Sequence, residues 1–510
     1  MKKVKPIGYK YIENYLQQHN IAILPYFRES YISESSIYKT IQENNTEVHL
    51  YPKKYETEDN LFSNLEFAIK HEGLNLLLIK KLFEILPETE VKSYILNNSK
   101  GKYNRIVWFL HEWSLDKKLD IPDLQTTNYI DILDSKEYYT CKPDKLKRYC
   151  INDNLTGNRF FCPLVRRTET LKNFENKRLD LKAQEILHEF DPYIIYRAVN
   201  YLYTKESLDS FEIEREKPSR ERLAIFQKLL EDLNKHSFKL TKDDLISLQN
   251  VIADKIYQNN DYRNNQIFVG SLHYGTGSLS SPKVDYIAPK SDDIPELMQG
   301  FIDASKKIIS SDIPAVVVAS IIAFSFVYIH PFSDGNGRIH RFLIHYVLAE
   351  KYFMAENIIF PVSATMLKDR ISYDKALEAL SKPLMPLIKY YFGSDGFMTV
   401  KNNTEDFYRF IDLTKQSEYL YNCIESTINN EFLNELKFLA GYDVAKSEIQ
   451  EISEMPDNLL DLLIKFIIQN KGKLSKNKKT KHFDFLDENK LTEIENVINE
   501  HFSFLFIAKI

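Results

Sequence analysis

Apolar residues recur at three- and four-residue spacing along most of this chain, the period of an amphipathic helix. The spacing predicts helices over Asn64–Leu86, Arg222–Leu233, His340–Phe353 and Asn458–Asn470. One stretch abandons that period: IPAVVVASIIAFSFVYI, Ile313–Ile329, carries no charge over 17 residues. Its length is at the bottom of the membrane-spanning range. Ser311 and Asp312 can cap its start, Pro314 suits a first turn, and a polar segment follows at once. These features predict a helix buried in a soluble core rather than a membrane span. Strand-like patterning is local. NQIFVG followed by GTGSLSSPKVDYIAP, Asn265–Pro289, predicts a β-hairpin with a long tip. The expected fold class is mainly α with a small β-hairpin. Segments 1–187, 188–398 and 399–510 are expected as an N-terminal mostly helical domain, a central domain and a C-terminal helical domain.

Composition narrows the class without naming it. The chain has 510 residues, 44% apolar and 27% charged, with a formal net charge of −5. That balance suits a soluble globular protein and gives no general attraction to nucleic acid or an anionic membrane. The basic run KGKLSKNKKTK, Lys471–Lys481, reads as a solvated loop, with a nucleic-acid contact as its alternative. Cys141, Cys150 and Cys162 form no CxxC pair, so zinc there would need an unseen fourth ligand. Reduced thiols in a cytoplasmic protein are expected. The N-terminus has early lysines without an apolar run behind them, unlike a signal peptide.

The chemistry concentrates in YIHPFSDGNGRIHR, Tyr328–Arg341. Glycine is scarce, 14 in 510, yet Gly335 and Gly337 stand two apart. Glycines let successive N–H groups aim at one point, and a helix beginning at RIHRFLIHY would add its positive dipole end. Arg338 and Arg341 lie three apart on that helix, each able to grip phosphate oxygens through a planar fork. The sum is a polyphosphate cradle. Asp334 beside it can hold Mg²⁺ together with substrate phosphates. Asn336 can donate to a phosphate oxygen and can adopt left-handed angles. His330 ends the apolar run before a proline, where a neutral imidazole can take a proton from a hydroxyl. Phe332 would anchor the loop in the core.

HPFSDGNGRIHR, His330–Arg341, matches in full the HPFxxGNGRxxR signature of the Fic family within the Fic/DOC superfamily. VDYIAPKSDDIPELM, Val284–Met298, resembles the flap that precedes the signature in such proteins. EFAIKHEGLNL, FCPLVRRTETL, YLYTKESLDSFEIEREKPS and YRFIDLTKQSEYLY resemble segments of long bacterial Fic proteins. The resemblance implies a Fic-type helical core over 188–398. It also implies transfer of AMP from ATP to a hydroxyl of a target protein (Tyr, Ser or Thr) or of the enzyme itself, with pyrophosphate released. Carried over, His330 is the base, Asp334 the Mg²⁺ ligand, and Gly335, Asn336 and Gly337 the phosphate cradle. Arg338 and Arg341 neutralise the β and γ groups. Gly337 also speaks against the kinase-like branch, which carries lysine there. The flap residues Val284, Asp285, Tyr286, Ile287, Ala288 and Pro289 would dock the target by strand addition.

The resemblance further implies a brake. Many Fic proteins carry (S/T)xxxE(G/N) on an inhibitory helix whose glutamate engages the second motif arginine. SFEIER supplies Ser210 and Glu214, on one helical face and N-terminal to the motif. Arg215 departs from the usual glycine or asparagine, which puts the geometry of the helix end in question. Glu72 in KHEG is a rival, but Ala68 stands where serine or threonine is expected. Other activities fit the same fold: removal of AMP through a glutamate-positioned water, or transfer from another nucleotide donor. From a different class, a nucleotide-sensing regulator would bind DNA or protein. Homo-oligomers are compatible with all of these.

Overall fold

The computed structural model describes residues 3–43, 46–235, 238–271, 282–355 and 358–506. The chain is mainly α-helical, with a few small sheets. Two compact units emerge. One comprises 1–173, 238–351 and 371–420, the other 174–237, 352–370 and 421–510.

The first unit opens on a four-stranded sheet that the periodicity did not predict. Its order is Lys3–Ile7, Arg28–Ser33, Thr46–Tyr51, Lys39–Glu43. The inner pair, Arg28–Ser33 and Thr46–Tyr51, runs parallel, and the outer strands pair antiparallel. Each strand is five or six residues, too short for alternation to stand out from helical spacing. The helix expected over Asn64–Leu86 is two helices, Leu61–His71 and Leu76–Ile85. Gly73 breaks it at φ +94°, and the Asn75 side chain then caps the second helix by accepting from Leu78 N at 3.1 Å.

The apolar run forms a helix over Ala315–Ile329, buried at all but two positions. It is a core helix, and among the described residues no helix is long and apolar enough to cross a membrane. Ser311 does not cap it in the expected way. Its hydroxyl donates to Ile308 O at 2.6 Å, closing the preceding helix, and Pro314 takes the N-cap position without a side-chain bond. Against this helix packs Asn336–Glu350, the helix that carries the motif, which also contacts Lys242–Ile252. The expected hairpin pairs Phe268–Ser271 with Lys283–Ile287, antiparallel, with a bulge at Val269–Gly270. A Cβ on Gly270 would lie 2.0 Å from the Lys283 carbonyl, so only glycine fits the bulge. The tip expected from sequence, 272–281, lies outside the described residues.

In the second unit, Pro192–Ile213 forms a 22-residue helix whose Asp191 side chain accepts from Tyr193 N at 2.8 Å. Phe211 meets Phe226 of the next helix, Arg220–Glu231, edge to face at 5.7 Å. The buried Glu206 accepts from Ser363 N at 2.8 Å and from its hydroxyl at 2.5 Å. Farther along, Leu433–Ile452, Asp457–Gln469 and Glu488–Phe506 enclose a core that includes Leu460, Leu463, Ile494 and Phe502. Within the basic run, Lys473 pairs with Glu495 at 2.8 Å and Lys478 lies over the Phe466 ring at 3.5 Å. Cys141, Cys150, Cys162 and Cys423 are buried free thiols.

Candidate active site

The apolar helix ends on a strained residue. His330 is its C-cap at φ +52°, ψ +59°, a left-handed conformation that a non-glycine residue adopts at a cost of roughly 1–2 kcal/mol. The following Pro331 cannot continue a helix. Such outliers persist only where their surroundings hold them. His330 N still donates to Phe326 O at 2.9 Å, and its carbonyl accepts from the Arg263 Nε at 2.7 Å. The imidazole Nδ1 lies 3.2 Å from the Val327 carbonyl. A carbonyl only accepts, so this contact calls for the proton on Nδ1, and in a neutral ring Nε2 then holds the lone pair. That is the tautomer a general base requires.

The loop from His330 to the motif helix is closed by its own asparagine. Asn336 is 2% exposed; its Nδ2 donates to Phe332 O at 2.7 Å and its Oδ1 accepts from Phe332 N at 3.1 Å. Phe332, wholly buried, meets the rings of Tyr262 and Phe326. The left-handed position expected of Asn336 is taken instead by Gly335, at φ +92°. Gly335 is the N-cap and offers no side-chain acceptor, so the first-turn N–H groups of the motif helix keep their positive end for an anion. Gln249 Nε2 steadies the approach by donating to the Asp334 carbonyl at 3.3 Å.

The acidic and basic residues sit differently from their expected places. Asp334 directs both carboxylate oxygens to Arg338 Nη2, each at 2.8 Å, and remains one-third exposed. Arg338 also donates from Nη1 to Ile252 O at 3.1 Å. Its guanidinium therefore already serves Asp334 and the neighbouring helix end. Arg341 is fully buried. The structure thus gathers His330, Asp334, Gly335, Asn336 and Arg338 around one loop and helix end. Among the described residues no cluster of three His, Cys, Asp or Glu stands ready to hold a metal.

Of the flap residues, Tyr286, Ile287, Ala288 and Pro289 are buried, and only Asp285 is exposed. The Tyr286 hydroxyl donates to Tyr328 O, and Tyr408 donates to Ile287 O at 2.5 Å. Strand addition would therefore be confined to the outer part, Lys283–Asp285. The sequence reading missed Arg263 and Gln249. An isolated arginine in DYRNNQ belongs to no period and no motif, so nothing local marked it.

In the second unit, Ser210 is wholly buried and Glu214 is exposed as the C-cap of its helix. Arg215 N donates to Glu212 O at 2.8 Å and Glu216 N to Phe211 O at 3.1 Å, the paired bonds of a Schellman end. Arg215 holds φ +58°, the conformation glycine or asparagine would favour. Glu72, the rival, is 1% exposed and accepts from Tyr9 N at 2.7 Å. Burial pushes its carboxyl up to about 7, against the Tyr9 bond and Arg28, which lower it.

Residues 239–348 match the family described as Fic/DOC. Protein adenylyltransferase Fic of Drosophila willistoni is 29% identical over 112 residues, 22% of this chain and 20% of that protein. Its namesake from Nematostella vectensis is 26% identical over 160 residues, 30% of this chain and 32% of that one. The chain thus spans about a fifth to a third of the length of these curated relatives. Among solved structures, a Fic domain containing signaling protein from Bacteroides thetaiotaomicron aligns with a TM-score of 0.36 at 18% identity, over 52% of this chain and 96% of the other. A Fic family protein from Desulfovibrio desulfuricans aligns with a TM-score of 0.34 at 14% identity, over 64% and 84%.

Proposed function

We propose, for a chain whose residues 239–348 match the Fic/DOC family, that it transfers AMP from ATP to a hydroxyl of a protein. The observation that carries this reading is His330 with Nδ1 turned to the Val327 carbonyl, six residues before a helix end that has no side-chain cap and suits phosphate. The hydroxyl oxygen attacks the α-phosphorus, the bond from that phosphorus to the bridging oxygen breaks, and pyrophosphate leaves. His330 Nε2 receives the hydroxyl proton. The first-turn N–H groups of the motif helix, with Gly335 shaping the turn, orient the phosphates, and Arg338 and Arg341 lend positive charge. The relatives named protein adenylyltransferase support ATP and a protein substrate.

Asp334 would hold Mg²⁺: it is a partly exposed carboxylate beside the cradle, and it would share its oxygens with Arg338. When bound, the ion would neutralise charge developing on the departing pyrophosphate. Glu214 is proposed as the brake, acting on Arg341 so that the γ-phosphate finds its cation occupied. Its support is the Schellman end, which gives Arg215 the backbone angles expected of the family's glycine or asparagine.

Intact mass spectrometry after incubation with ATP and Mg²⁺ tests the reading in wild type, Glu214→Gly, and Glu214→Gly with His330→Ala. AMP adducts in the single variant, and loss of about 10²–10⁴-fold on removing the imidazole, are expected. Equal adduct formation with and without His330 would remove the base from the mechanism.

A further inference from the structure

We propose that Arg263 is the positioning residue that joins the His330 loop to the base of the hairpin, so that target docking and placement of the base are coupled. This rests on the reading of His330 as base. Arg263 is 4% exposed and sits between three segments of one compact unit. Its Nε donates to His330 O at 2.7 Å, its Nη1 to Asn265 O at 2.6 Å and its Nη2 to Pro289 O at 2.6 Å. Its backbone N–H donates to Pro331 O at 2.9 Å. One residue therefore holds both sides of the strained His-Pro corner and the chain on either side of the hairpin.

The energetics argue against a packing role alone. A buried guanidinium is expensive, and among the described residues its hydrogen bonds go to carbonyls rather than to a carboxylate. Burial brings its pKa down to about 10, so it stays charged at neutral pH. The three carbonyls it serves belong to His330, Asn265 and Pro289, and a buried carbonyl that loses a donor costs free energy. The His330 carbonyl matters most. Its orientation follows from φ +52°, and the same backbone aims the imidazole at Val327 O. Releasing that carbonyl lets the corner relax toward ordinary angles and loosens the tautomer. The hairpin end of the strut is equally defined, because Gln266 Nε2 and Tyr408 tie the adjacent Ala288 and Ile287 carbonyls. A strand of target added at Lys283–Asp285 would stiffen the segment that Arg263 grips at Pro289.

The test uses the full chain with ¹⁵N-labelled histidine, the His330 signals being assigned by their loss in His330→Ala. Wild type, Arg263→Lys and Arg263→Met are compared for imidazole tautomer, for amide exchange at Val269 and Tyr286–Ala288, and for ATP affinity. Wild type should show the Nδ1–H form. Arg263→Met should mix tautomers and raise exchange at those amides at least tenfold, with ATP affinity within about threefold of wild type. In the Glu214→Gly background kcat should fall about 100-fold, the loss expected of a misplaced base. Arg263→Lys, whose compact ammonium cannot span the three carbonyls as the guanidinium fork does, should lie between. Unchanged tautomer and exchange in Arg263→Met would overturn the proposal, as would a uniform rise in exchange across the chain. Should Arg263→Met not fold, Arg263→Lys decides alone: mixed tautomers support the strut and the wild-type signature overturns it. Absence of AMP adducts from every variant, with tautomer and exchange still shifted, would sink the transfer reading and leave the strut standing.

Discussion

Two glutamates each end a helix, and their surroundings are opposite. Glu72 is the C-cap of Leu61–His71 and Glu214 the C-cap of Pro192–Ile213. Each precedes a left-handed residue, Gly73 at φ +94° and Arg215 at φ +58°. As sequence they are near equivalents. Their surroundings separate them. The Glu72 carboxylate turns back onto the first turn of the helix Tyr9–Gln18, where it accepts from Tyr9 N, and it is sealed from water. Glu214 stays exposed on its helix end. A buried, committed acid is part of the scaffold, whereas an exposed acid can engage or release a partner at little desolvation cost. Burial thus makes Glu214 the better candidate for the brake.

The strongest way to break this comparison is to remove each acid in turn. Glu214→Gly is expected to raise AMP incorporation about 5- to 150-fold, the usual range of a regulatory coupling, measured as adduct formed per minute. Glu72→Gln should leave the rate within twofold. A rise with Glu72→Gln, and none with Glu214→Gly, would reverse the assignment.

Next in size is Gly8→Ala. Gly8 holds φ +64°, and a Cβ there would meet Glu72 Oε2 at 2.4 Å. The carboxylate cannot swing aside without abandoning Tyr9 N. Backbone strain and the displaced bond together should cost about 3 kcal/mol or more, read as a lower urea midpoint. A midpoint equal to wild type would show that Glu72 is not held as described.

The same acid predicts a pH dependence. Its folded pKa of about 7 exceeds the ordinary carboxyl value of 4.5, so the fold binds the proton more tightly than the unfolded chain does. Stability from this group is complete below about pH 4.5 and lost as pH rises through 7. The decline should approach roughly 2–3 kcal/mol by pH 8. Glu72→Gln should flatten the profile between pH 5 and 8 in thermal unfolding, and an unchanged slope would exclude Glu72 as its source.

Much of this was legible from residues and some was not. The uncharged run at Ile313–Ile329 could only be a core helix or a span, and the polar motif after it pointed to a core. His330 and the glycines were legible because chemistry and spacing coincide in a dozen residues. The N-terminal sheet was hidden because strands such as Lys39–Glu43 carry few apolar residues and pair with distant segments. Gly73 looked like a tolerated glycine inside a helical period, and only tertiary contact shows that it ends the helix. Arg338 was expected on phosphate alone. Its bond to Asp334 depends on both side chains bending to the same side of one helix end, which spacing does not specify. Asn336 was expected on phosphate, yet one of its amide N–H donors and its oxygen close the Phe332 turn. Arg263 was invisible because its partners are carbonyls, which every residue has.

The smallest effect sharpens the comparison at its one chemical difference, the residue after each glutamate. Gly73 adopts its positive φ freely, and its N–H reaches Ala68 O at 3.1 Å. Arg215 holds its positive φ with a Cβ in place, exposed to solvent. The Schellman bonds of Arg215 and Glu216 are made by backbone, so they survive removal of the side chain. Arg215→Gly should therefore relieve left-handed strain and stabilise the chain by about 1 kcal/mol, less what the unfolded chain gains in freedom. The gain should appear as slower amide exchange over Phe211–Glu216, with Glu214 held more firmly in place. If Glu214 is the brake, basal AMP incorporation should fall slightly in Arg215→Gly and rise again when Glu214→Gly is added. Faster exchange in Arg215→Gly would mean that the arginine side chain, and not the backbone turn, secures this helix end.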